Sequence, residues 1–82
     1  MADKAKVLVV DDEVSIVEVL KALLSREGYD VTTASDGEEA LDELRGDKFD
    51  LMISDIRMQP MDGITLLRKA RELQEHLAVI MI

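Results

Sequence analysis

Short apolar runs alternate along this chain with longer stretches of helical periodicity. Val7 to Val10 is a continuous apolar run rich in β-branched residues. Such a run suits a parallel strand covered on both faces. From Val14 to Glu27 the apolar residues recur every three or four positions. Val17, Leu20 and Leu24 form one stripe, Ile16 and Leu23 flank it, and Gly28 stands where a helix-ending glycine belongs. Tyr29 to Ala34 reads as a second short strand. Asp30, Thr32 and Thr33 make it polar enough for a sheet edge. Asp36 and Glu39 have capping-box spacing at the head of a second helix, which buries Ala40, Leu41 and Leu44 and ends at Gly46. Phe49 to Ser54 is the third strand. Asp62 heads a third helix with the stripe Ile64, Leu67, Ala70 and Leu73, Leu66 lying beside it. Ala78 to Ile82 is the last strand.

Strand and helix thus alternate three times before a final strand, βαβαβαβ. That order predicts an α/β fold built on a parallel sheet. The 82 residues form at most one small domain, spanning 1–82, with no repeat, linker or low-complexity segment. In a sheet of order 2-1-3-4, right-handed crossovers put the first helix on one face and the other two on the opposite face.

Composition removes several function classes. There is no cysteine, so disulfides and zinc-thiolate sites are excluded. His76 is the only histidine, which excludes a histidine-based triad or a multi-histidine metal site. The formal net charge of −8 argues against direct nucleic-acid binding, which draws on Lys and Arg to neutralise phosphates. Tyr29 and Phe49 are the only aromatic residues, too few for a base-stacking platform. No apolar run approaches the ~20 residues of a membrane span, and residues 1–6 lack the apolar core of a signal peptide. A soluble, cytoplasmic protein is expected.

Asp11, Asp12 and Glu13 follow the first apolar run, and Asp55 follows the third. Open α/β sheets bind ligands beyond the carboxyl ends of their strands, where strand order reverses. In a 2-1-3-4 sheet the first and third strands are neighbours at that point, so their carboxylates share one pocket. Crowded carboxylates repel unless a cation or protons compensate them. Mg²⁺ suits such a pocket, because it takes carboxylate, water and phosphate oxygens. It would offset charge on a phosphoryl group in transfer while Asp55 attacks as nucleophile. Taken alone, the first acidic cluster also reads as favourable charge at a helix N-terminus. Asp36 and Asp62 read as caps and His76 as a surface residue. Lys21 and Arg26 belong to a solvated helix face, and Met58 and Met61 to packing.

The whole chain resembles the receiver domain of two-component response regulators. Residues 7–13, VLVVDDE, are similar to that family's first strand and acidic pair. Residues 34–41, ASDGEEAL, resemble its entry to the second helix. Residues 49–58, FDLMISDIRM, resemble its phosphoacceptor strand and loop, and Met61, Asp62, Gly63, Leu66 and Leu67 resemble the start of its third helix. The resemblance implies a flavodoxin-like sheet of order 2-1-3-4. It implies a phosphoryl group accepted on Asp55 from a sensor histidine kinase. It also implies Mg²⁺ held directly by Asp12, Asp55 and the backbone carbonyl of Arg57, with Asp11 acting through a metal-bound water.

Three departures stand against the family pattern. The family usually has proline directly after the methionine at position 58. Here Gln59 intervenes and proline comes at Pro60. The sequence ends at Ile82, before the Ser or Thr that follows the family's fourth strand and the Lys that follows its fifth. The family's fourth helix, fifth strand and fifth helix are absent from it as well. The sequence therefore reads as a receiver shortened after the fourth strand, with impaired phosphotransfer and a bare sheet face that favours a homo-oligomer. The alternative is a non-catalytic interaction module that self-associates through that face or through the last strand. An aspartate-nucleophile phosphatase is the weaker reading, since its Asp-x-Asp spacing is missing.

Overall fold

The structure is a computed structural model that describes residues 4–82. Residues 1–3, part of the segment read for a leader, lie outside the described residues. The elements run β1 (Lys6–Val10), α1 (Val14–Arg26), β2 (Asp30–Ala34), α2 (Gly37–Gly46), β3 (Leu51–Ser54), α3 (Gly63–Leu73) and β4 (Ala78–Met81). The four strands form one parallel sheet of order β2-β1-β3-β4, as the pattern predicts. β1 lies between β2 and β3, with Val10 level with Ala34 on one side and Ser54 on the other.

Side-chain alternation along the strands divides the interior into two unequal cores. Leu8, Val10 and Met52 face α2 and α3, where Leu41, Leu44, Phe49, Leu66, Ala70 and Leu77 close around them. Val7, Val9 and Ile53 face α1, which covers them with half-buried Leu20 and Leu24. One helix against two is the division that right-handed crossovers require. α1 contributes no fully buried residue. Its predicted stripe is positioned correctly but only half buried, and the flanking Ile16 and Leu23 are exposed.

Capping explains where α2 and α3 begin. Asp36 accepts from the Glu39 amide at 2.8 Å, and Asp62 accepts from the Thr65 amide at 2.8 Å. Glu39 does reach back, but to the amide and hydroxyl of Ser35, one residue further than a standard capping box. At the end of α1 the chain reverses through Gly28, whose φ of 95° lies in the region that favours glycine.

The predicted face of α3 needs correction. Ile64 and Leu73 are exposed and Leu67 is half-buried, whereas Gly63, Leu66 and Ala70 are buried. The helix is rolled so that its glycine meets the loop after β3, which turns the Leu66–Ala70 side inward. Phe49 is also not part of a strand. It is buried just ahead of β3, its amide bonded to the Gln74 side chain at 3.0 Å.

Gln74 joins three segments. Its Nε2 donates to the carbonyls of Leu44 at 2.8 Å and Asp47 at 2.6 Å, while its Oε1 accepts from Phe49. One amide therefore satisfies the end of α2 and the entry to β3. Leaving those backbone groups unpaired in a half-buried setting costs a few kcal/mol. Gln74→Ala is expected to lower unfolding free energy by about 2 kcal/mol. Urea denaturation measures it, and a loss no larger than that of a surface substitution would show the three bonds to be dispensable.

Candidate phosphoacceptor site

The site arises from the register of two parallel strands. Val10 and Ser54 are partners, so the residues after them leave the sheet side by side. The Asp11 amide bonds the Ala34 carbonyl at 3.2 Å, and the Asp55 amide bonds the Val10 carbonyl at 3.1 Å. The ladder thus continues one residue past each strand and fixes both backbones at the rim. Asp11, Asp12 and Asp55 each bring a carboxylate oxygen to within 4.8 Å of the other two. The sequence reading named these three residues, and the fold brings them together.

The acids do not cap α1. Its N-cap is Glu13, which makes no side-chain capping bond. Asp11 instead accepts from the Glu13 amide at 2.9 Å through Oδ1. Asp11 is only 3% exposed, Asp55 is half-buried and Asp12 is exposed. Among the described residues none of the ion pairs involves the three; Lys6 pairs with Asp47 and Arg45 with Asp42, and the His76 ring lies 3.5 Å from the Glu75 carboxylate. Burial pushes the Asp11 carboxyl above its usual range. The Glu13 amide opposes that shift, and the charges of Asp55, Asp12 and Glu13 add to it.

Arg57 follows on an exposed loop, and its amide donates to Asp55 Oδ1 at 3.1 Å. Met58 is buried in the larger core and Met61 packs against its edge, as expected of loop anchors. Gln59 and Pro60 are exposed, and the peptide between them is cis. His76, Lys21 and Arg26 are exposed surface residues.

Residues 7–82 match the response regulator receiver domain. The chain belongs to that family. This receiver domain is 46% identical over 77 residues to the alkaline phosphatase synthesis transcriptional regulatory protein PhoP of Bacillus subtilis, covering 94% of this chain and 32% of that protein. It is 40% identical over 80 residues to the transcriptional regulatory protein ZraR of Escherichia coli, covering 98% of this chain and 18% of that one. The receiver domain therefore spans about a third or less of the curated relatives it matches. Among solved structures, the chemotaxis protein CheY4 of Vibrio cholerae superposes with a TM-score of 0.92 at 37% identity, covering 96% of this chain and 68% of that chain. The response regulator TrrA of Thermotoga maritima, solved in complex with Mg²⁺ and BeF, superposes with a TM-score of 0.88 at 39% identity, covering 94% of this chain and 67% of that one. A role in two-component signalling follows from family membership. No helix among the described residues is long and apolar enough to cross a membrane.

The contacts that Ser54 and Gly63 make with the loop after β3 appear only in three dimensions. Gly63 stands in the motif Met61-Asp62-Gly63, but its closeness to Asp55 has no one-dimensional signal.

The raised Asp11 carboxyl has a stability consequence with a definite sign. As pH rises past the ordinary carboxylate range, the unfolded chain releases this proton first while the folded chain retains it. Stability from this residue therefore falls as pH climbs from the ordinary value through the raised one. Without divalent cation, Asp11→Asn is expected to melt at a higher temperature than the parent at pH 7, with the gap narrowing toward pH 4. Thermal melts across that range check it; an unchanged or lower Tm at pH 7 contradicts the electrostatic account.

Proposed function

We propose that this domain is a Mg²⁺-dependent phosphoacceptor in cytoplasmic two-component signalling, receiving its phosphoryl group on Asp55 from a sensor histidine kinase. The observation that carries this reading is the convergence of Asp11, Asp12 and Asp55 within 4.8 Å, with no cation among the described residues paired to them. A hard divalent ion fits an all-oxygen donor set of this kind. Asp12, Asp55 and the Arg57 carbonyl would hold it directly. Asp11 has one oxygen engaged by the Glu13 amide, which suits a role through water. Asp12 is exposed and free to turn toward an ion.

When bound, Mg²⁺ supplies positive charge against the phosphoryl oxygens. The remaining roles fall to the chain. An Asp55 carboxylate oxygen attacks phosphorus, the phosphorus–nitrogen bond of the donor phosphohistidine breaks, and the imidazole nitrogen leaves with the electron pair. An acyl phosphate on Asp55 results. The Arg57 amide, bonded to Asp55 Oδ1, fixes the carboxylate's rotation and leaves Oδ2 as the attacking atom.

A second reading rests on a different surface. Val79 packs into the larger core, so alternation turns Ala78, Ile80 and Ile82 to the α1 side of the sheet. Ile80 is 49% and Ile82 50% exposed there. The outer edge of β4 has no partner strand among the described residues. An apolar face with an open edge favours association through β4, and a second copy of this chain offers a matching surface.

Mg²⁺ at about a hundredfold excess over its Kd stabilises the folded chain by ~2.7 kcal/mol. For a domain this small that is a rise in Tm on the order of ten degrees. Asp55→Asn should reduce that rise and abolish labelling by a small phosphodonor such as acetyl phosphate. A variant that keeps both properties unchanged removes the assignment. Sedimentation velocity tests the second reading. The segment should show a concentration-dependent dimer that Ile80→Lys disperses and Asp55→Asn does not; a monomer at every concentration rules it out.

A further inference from the structure

Ser54 is fully buried, 0% exposed, at the last position of β3. Its neighbours on the same sheet face are aliphatic or methionine side chains, and an aliphatic residue would fill that position without desolvating a hydroxyl. The hydroxyl bonds none of the carboxylates. It donates to the backbone carbonyl of Asp55 at 3.0 Å.

The same oxygen is approached by α3. A Cβ added to Gly63 would lie 2.3 Å from the Asp55 carbonyl oxygen and 2.8 Å from the Ile56 Cα, with the Met81 methyl at 2.7 Å. The first two neighbours are backbone and have no rotamer through which to yield. The Gly63 amide then donates to the Ile56 carbonyl at 2.9 Å, and the Arg57 amide donates to Asp55 Oδ1 at 3.1 Å. Beyond the sheet's own ladder, the backbone from Ser54 to Arg57 is held by one buried hydroxyl, one bare Cα and these two amide-donated hydrogen bonds.

We propose that Ser54 and Gly63 are positioning residues for the acceptor: the Ser54 hydroxyl and the side-chain-free first turn of α3 together hold the Asp55 carbonyl, orient the Asp55–Ile56 peptide, and so aim both the Asp55 carboxylate and the Arg57 carbonyl at the metal pocket. This rests on the phosphoacceptor reading above. A Cβ at position 63 must displace the loop or α3 by about 1 Å, a misplacement that can cost on the order of a hundredfold in a positioned reaction. Loss of the hydroxyl frees the carbonyl without adding volume, so its effect is smaller.

The test is Mg²⁺ affinity of the 82-residue chain, read from backbone amide shifts at a temperature where every variant is folded. Tm is measured in parallel. Ser54→Ala is expected to weaken Mg²⁺ binding several-fold and Gly63→Ala by tenfold or more. Gly46→Ala is the control. Its added Cβ meets nothing within 4 Å, at the far end of α2, and its affinity should match the parent. Ser54 and Gly63 variants that are folded and bind Mg²⁺ as the parent does would overturn the proposal while leaving the phosphoacceptor reading intact. A parent that binds no Mg²⁺, or binds it independently of Asp55, brings down both. Should Gly63→Ala fail to fold, Ser54→Ala decides alone: an unchanged affinity refutes the clamp, and a weakened one at unchanged Tm supports it, since a merely structural hydroxyl would move Tm and not affinity.

Discussion

Everything at the rim of this sheet follows from forcing like charges together. Parallel register makes Val10 and Ser54 neighbours, so the acids that follow them have nowhere else to go. Asp11 bears most of the cost, being the most buried of the three and displaced upward in its titration by burial. A chain selected only for stability would replace one of these acids, and proteins commonly keep such local penalties where function needs them. The crowding of these charges and the all-oxygen donor set they offer are two aspects of one arrangement.

The scaffold around that rim is built to be stiff where the acids emerge. Asp36 and Asp62 start α2 and α3 with side-chain caps. Gln74 ties the far end of α2 to the start of β3. The loop after β3 is anchored by buried Met58 and by the closely seated first turn of α3. Stiffness matters because catalytic geometry tolerates little error.

Much of this was legible in one dimension. Continuous apolar runs such as Val7 to Val10 identify doubly covered strands, and the three- and four-residue spacing of Val17, Leu20 and Leu24 identifies a helix face. Strand–helix alternation then limits the topology to few choices, and the acids after β1 and β3 stand out against it. What resisted reading has a common cause. The roll of α3 depends on a glycine finding room against backbone 8 residues upstream, which hydrophobic spacing cannot register; Ile64 and Leu73 consequently look like core and are not. Ser54 looks like one more small polar residue at a strand end. Gln74 looks like an exposed residue of a helix terminus, since its three partners lie 25 to 30 residues away in sequence.

The two cores also differ in how firmly they close. α2 and α3 place buried leucines and alanines against the sheet, whereas α1 offers only half-buried ones and shows apolar residues to solvent along its flank. Local opening is cheapest where few apolar contacts must break. α1 is held by fewer buried apolar contacts than α2 and α3, so local opening costs least there. Opening on that side would reach the acidic rim through Asp11 and Asp12, which lie just ahead of α1, and not through Asp55, which follows β3 on the other side of the pocket.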